Sequence, residues 1–189
     1  MELTSNQFAS QLSGWYQKWA QVNNAYFPVE KRLSEKALEK GYLEISDLID
    51  ITRVLGNPHS IRSRVQSNNT ADSVIEKTKN AILNIGDPLK ALQWICSIKC
   101  WGLTYCSKTL RCICPQKYGA LDSRIINGVN RNYLPSNNNY VKYVEFLQLC
   151  EQIRQRVAKP GPRDKEEWYI ADIEIALFQF LWNKENRLL

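Results

Sequence analysis

The sequence predicts an all-α protein, a compact bundle of about nine to eleven helices. Apolar residues recur at spacings of three and four in most segments, the period of a helix face. Nowhere does alternation last long enough for a strand. Proline and glycine fall between the periodic segments and cut them into pieces of ordinary helical length.

Each element follows from its own residues. Residues 5–25 carry Phe8, Leu12, Trp15, Trp19 and Val22 on one face. Residues 30–40 repeat the pattern, and Gly41 serves as their C-cap. Ser46 or Asp47 caps a helix that carries Leu48, Ile51, Val54 and Leu55. Gly56-Asn57-Pro58-His59 then breaks the periodicity. Helices follow at 59–66 and 71–85, the second capped by Thr70. Gly86-Asp87-Pro88 ends that helix and opens another over 88–98, with Pro88 in its first turn. After a short break at 99–103, a helix runs from about 104 to 114 and Pro115 stops it. Residues 122–130 form a short helix. An Asn-rich loop at 136–139 precedes a long helix over 140–157. Lys159-Pro160-Gly161-Pro162 separates this from a last helix over about 165–183.

The chain has 189 residues and a net charge of +6. Its length fits a single helical domain or two lobes flanking a cleft. The charge is uneven: residues 1–55 hold six Lys/Arg and seven Asp/Glu, 56–134 hold eleven and four, and 135–189 hold eight and eight. The excess sits in the middle third, which points to a localised polyanion-binding face. A solvated basic face with no partner is the plainer alternative.

The opening MELTSNQ lacks a charged start and an apolar run, and no stretch is long enough to cross a bilayer. The sequence therefore predicts a cytoplasmic, nucleoid-associated monomer without membrane contact. Its six cysteines are expected to be reduced. Five of them (Cys96, Cys100, Cys106, Cys112 and Cys114) cluster without any CxxC pair. They read as small buried apolar residues rather than a metal centre, and no cofactor is predicted.

Residues 95–124 read ICSIKCWGLTYCSKTLRCICPQKYGALDSR. The pattern is helix, tight turn, helix, proline stop, then Leu-Asp-Ser-Arg opening a short helix. Together with Gly56-Asn57-Pro58-His59-Ser60-Ile61-Arg62 and Ala171-Asp172-Ile173-Glu174-Ile175-Ala176-Leu177-Phe178, it resembles the helix-hairpin-helix DNA glycosylase superfamily. Small bacterial proteins similar to 8-oxoguanine DNA glycosylases resemble it most. The resemblance implies excision of a damaged or modified base from duplex DNA by base flipping. An abasic-site lyase step would accompany excision if an amine attacks the sugar. A non-catalytic DNA-binding module of the same fold is the alternative.

The resemblance also assigns roles. Gly102, without a side chain, lets a DNA backbone approach the start of the second helix, whose N–H groups favour phosphate. Arg62, Arg64, Lys99, Arg111 and Arg124 are expected to contact DNA, with Asn57 filling the gap left by the flipped base. Trp101, Phe178 and Trp182 are expected to form the base pocket. Asp122 is the expected catalytic carboxylate, stabilising positive charge on the sugar; as the residue before Ser-Arg-Ile-Ile it is also a good N-cap. Lys108 is the expected amine nucleophile, with Arg111, Trp101 and Tyr105 around it. The sequence departs from the family in two places. Cys100 stands where the first turn glycine is expected, and Thr104 where many members carry the lysine. Lys108 follows one helical turn later, on the same face.

Overall fold

The computed structural model describes residues 2–55, 59–163 and 167–185, without the side chains of 55, 59 and 185. The described residues form eleven helical segments and no strand: α1 (Asn6–Ala9), α2 (Leu12–Val22), α3 (Tyr26–Lys40), α4 (Ile45–Leu55), α5 (His59–Asn68), α6 (Ala71–Leu83), α7 (Pro88–Cys96), α8 (Leu103–Ile113), α9 (Ser123–Gly128), α10 (Asn139–Arg154) and α11 (Ile170–Glu185). The all-α prediction holds. No helix of the described residues is long and apolar enough to cross a membrane.

The chain divides into two compact units. A central unit spans Ala25–Cys114, and a terminal unit combines Met1–Asn24 with Pro115–Leu189. In the central unit α8 packs against α3, α4 and α7. It buries Cys106, Ser107 and every residue from Thr109 to Ile113. In the terminal unit α11 packs against α2, α9 and α10. Ile173, Ile175, Ala176, Leu177 and Leu181 fill its core side.

Several ends form as the sequence dictates. Gly41 closes α3 with a left-handed φ of 73°. Thr70 Oγ1 accepts the Ser73 N–H at 3.2 Å, and Asp87 caps α7 with Pro88 at its first position. Others differ. The helix expected over 5–25 is two, because the Ser10 N–H turns back to Asn6 and the Gln11 N–H to Phe8, ending α1 after one turn. Tyr16 is buried in α2, and Val22 is exposed. Neither Ser46 nor Asp47 stands at the N-cap of α4. Asp47 lies inside its first turn, and its carboxylate accepts the Glu44 N–H at 2.8 Å, the returning bond of a capping box. The last helix starts at Ile170, because Asp172 makes the same kind of bond to the Tyr169 N–H, at 3.2 Å.

Candidate nucleic-acid interface

α7 and α8 form a hairpin joined by residues 97–102. Successive backbone bonds wind this connection tightly: Ser97 to Gln93, Ile98 to Ile95, and Trp101 to Ile98. Cys100 reverses it. It has a φ of 62°, the one left-handed non-glycine among the described residues. A side chain there is strained by roughly 1 kcal/mol or more. The turn geometry that a glycine would provide therefore survives the cysteine.

Gly102 follows in extended conformation and starts α8 without a side-chain cap. Its carbonyl accepts the Tyr105 and Cys106 N–H groups at 2.9 and 3.0 Å. Among the described residues no acceptor reaches the N–H groups of Leu103 or Thr104. A Cβ built on Gly102 meets no atom within 4 Å, so the backbone here is open to close approach. The turn borders an open depression of ≈ 780 Å³, lined on its other side by Ile61 and Arg64 of α5. Arg64 and Lys99 are both exposed. This face thus combines cations with open backbone donors, the chemistry that suits a phosphodiester.

Residues outside the expected set hold the turn in place. Asn69 Oδ1 accepts the Lys99 N–H at 3.0 Å, and Asn69 Nδ2 donates to the Lys99 carbonyl at 3.0 Å and to the Val65 carbonyl at 2.9 Å. Lys77 Nζ donates to the Ser97 carbonyl at 2.9 Å. Asn69 and Lys77 carried no sequence signal beyond a polar loop and a helix face. Their contacts span 30 and 20 residues, which periodicity does not read.

Two expected roles are corrected. Arg111 does not face DNA. It is 2% exposed, its Nε lies 3.5 Å from Glu30 Oε2, and its guanidinium stacks 4.3 Å from the centre of the Tyr26 ring. Trp101 is not an open stacking platform. The residue is 3% exposed and its Nε1 donates to Thr109 Oγ1 at 3.0 Å, so it belongs to the core beneath the turn. Arg62 is half-buried and donates through Nε to Thr52 at 3.2 Å. Asn57 lies outside the described residues.

Lys108 belongs to the central unit and is half-buried. Its Nζ lies 5.2 Å from the centre of the Tyr105 ring. Burial pushes the Tyr105 hydroxyl above its usual range, so it stays neutral. One turn further along α8, burial pushes the Cys112 thiol up to about 12, with Glu30 adding to the rise and Arg111 and Lys108 opposing it. The neighbouring thiol is therefore uncharged.

Asp122 belongs to the terminal unit and caps α9. Oδ1 accepts the Ile125 N–H at 3.0 Å. Among the described residues Oδ2 accepts no hydrogen bond. Helix α9 is seated on α11 through Gly128, where a Cβ would come within 2.9 Å of Leu181. This contact brings Arg124 onto the aromatic pair of α11. Its guanidinium lies 3.8 Å from the Trp182 ring centre and 5.2 Å from that of Phe178. Arg124, expected among the phosphate contacts, thus covers the rings expected to stack on the base. Trp182 remains 42% exposed.

No protein-family model matches this chain, and no curated protein or solved structure is significantly similar to it. The site is accordingly read from its own chemistry. Among the described residues no group of three or more His, Cys, Asp or Glu side chains is placed to hold a metal ion. Cys106, Cys112 and Cys150 are buried free thiols, and Cys100 is exposed.

Proposed function

We propose that this chain binds duplex DNA through the α7–α8 hairpin and excises a damaged or modified base from it as a DNA glycosylase. The observation that carries the reading is the turn itself. A left-handed Cys100 leads into an uncapped Gly102, with Arg64 and Lys99 on the same face. Such a turn offers backbone donors and positive charge to a phosphate without reading sequence.

Excision breaks the C1′–N bond of the flipped nucleotide. In the hydrolytic form, water adds to C1′ and the base leaves with a proton. Asp122 is the carboxylate assigned to stabilise the positive sugar, using the oxygen not engaged in capping. In the lyase form, the neutral amine of Lys108 adds to C1′ and the base leaves with one amine proton; the C1′–O4′ bond then breaks, the second amine proton passes to O4′, and the opened sugar is left as a Schiff base. The two residues are tested separately.

A non-catalytic DNA-binding module is the second reading. It is favoured by the capping bond of Asp122, which accounts for that carboxylate without any chemistry. Incubation with a panel of lesion-containing duplexes, followed by alkali, separates the two. The glycosylase reading expects strand breaks at one lesion class, reduced by about 10² to 10³ in Asp122→Asn. Borohydride should trap a protein–DNA adduct in the wild type and none in Lys108→Gln if the amine is the nucleophile. Binding without release of any base supports the module instead.

A further inference from the structure

Helix α5 and the hairpin turn are distant in sequence and face each other across the same depression. One side chain ties them together. The Asn69 amide pairs with the backbone of Lys99 in both directions, as a neighbouring strand would. It also holds the Val65 carbonyl in the last turns of α5. Three bonds from one amide fix two segments with no intervening flexible side chain. Arg64 sits one residue before Val65, is exposed, and is steadied by a bond from Nε to the Ser60 carbonyl at 3.1 Å. Lys99 is the residue that Asn69 grips.

We infer that Asn69 is a positioning residue that registers Arg64 of α5 against the Lys99 turn, making the two cations one phosphate-tracking surface. The inference rests on the reading of the hairpin as a DNA-binding element. Asn69 carries no charge and offers the DNA nothing itself. Lys77 still holds the turn through the Ser97 carbonyl when Asn69 is removed, so the effect on binding passes through Arg64. Without the clamp, α5 and the turn move independently, and Arg64 meets its phosphate only part of the time.

The test is a double-mutant cycle with a short fluorescein-labelled duplex, measured between roughly 50 and 200 mM salt. Asn69→Ala removes no charge, yet its log–log salt slope should become shallower by about one, as should that of Arg64→Ala. Asn69→Ala/Arg64→Ala should be no shallower than either single variant, because both remove the same contact. Thermal melting establishes that each variant folds. If Asn69→Ala fails to fold, Asn69→Gln keeps the amide but overreaches the Lys99 backbone, and should give the same shallower slope. An unchanged slope in a folded Asn69 variant overturns the inference, as does an additive double variant. A wild type that shows no salt-dependent binding overturns the DNA reading itself.

Discussion

Arg111 and Glu30 form an ion pair inside the central unit, 3.5 Å apart and both nearly inaccessible to solvent. Tyr26 completes it, donating its hydroxyl to Glu30 while its ring lies under the guanidinium. Burial pushes the Tyr26 hydroxyl well above its usual range, so it stays a donor. Removing the cation strands a carboxylate in the core. Arg111→Ala should destabilise the protein by about 3–5 kcal/mol, as broken buried pairs do. Denaturant unfolding measures this. In the fraction that remains folded, the salt dependence of DNA binding should be unchanged, which sets Arg111 apart from Arg64 and Lys99.

Gly102→Ser separates stability from binding at the turn. The φ of −70° and ψ of 167° suit serine, and the added Cβ meets nothing. A serine hydroxyl at this position caps α8 and should raise stability by a few tenths of a kcal/mol. It also occupies one of the donors proposed for phosphate, the Thr104 N–H. Affinity for duplex DNA should fall by roughly fivefold, about 1 kcal/mol. A variant that is more stable and binds undiminished would show that these donors do not meet DNA.

The helices were legible because their cause is local. Period, caps and proline stops lie within a few residues of one another, as at Thr70, Asp87 and Gly41. The site was legible only in part. Cys100 looked like the loss of a turn glycine, but the backbone accepts a left-handed cysteine where surrounding bonds fix it. Arg111 read as a surface cation because charge is visible in a sequence and burial is not; its partner Glu30 lies 81 residues away, in α3. Asn69 was missed for the same reason, since its clamp on Lys99 is a long-range backbone contact. Asp122 was legible as a cap, and the cap is what forms.

Asp47 contributes to the acid limb of stability. Burial alone pushes its carboxyl up, but hydrogen bonds from Lys36, the Glu44 N–H and Arg32 outweigh this and hold it below the usual range. A depressed folded-state pKa stabilises the protein above the unfolded value, about 3.9 for an aspartate, and that contribution is lost as pH falls through the folded value. Thermal midpoints should therefore drop steeply below about pH 4 in the wild type. Asp47→Asn should start lower at neutral pH and lose much of that acid dependence. An identical acid limb in both proteins would assign the titration to other carboxylates.

The salt dependence of duplex binding reports directly on whether the hairpin meets phosphate. With Arg111 buried, Arg62 held by Thr52 and Arg124 over the α11 rings, Arg64, Lys99 and the open N–H groups of α8 leave about three phosphate contacts at the hairpin. The log–log slope of affinity against salt should then be roughly −2 to −3, at about −0.9 per phosphate. Lys99→Ala and Arg64→Ala should each bring it about one closer to zero, on any duplex sequence. A flat response in the wild type, or a slope indifferent to both substitutions, would contradict a hairpin that binds DNA.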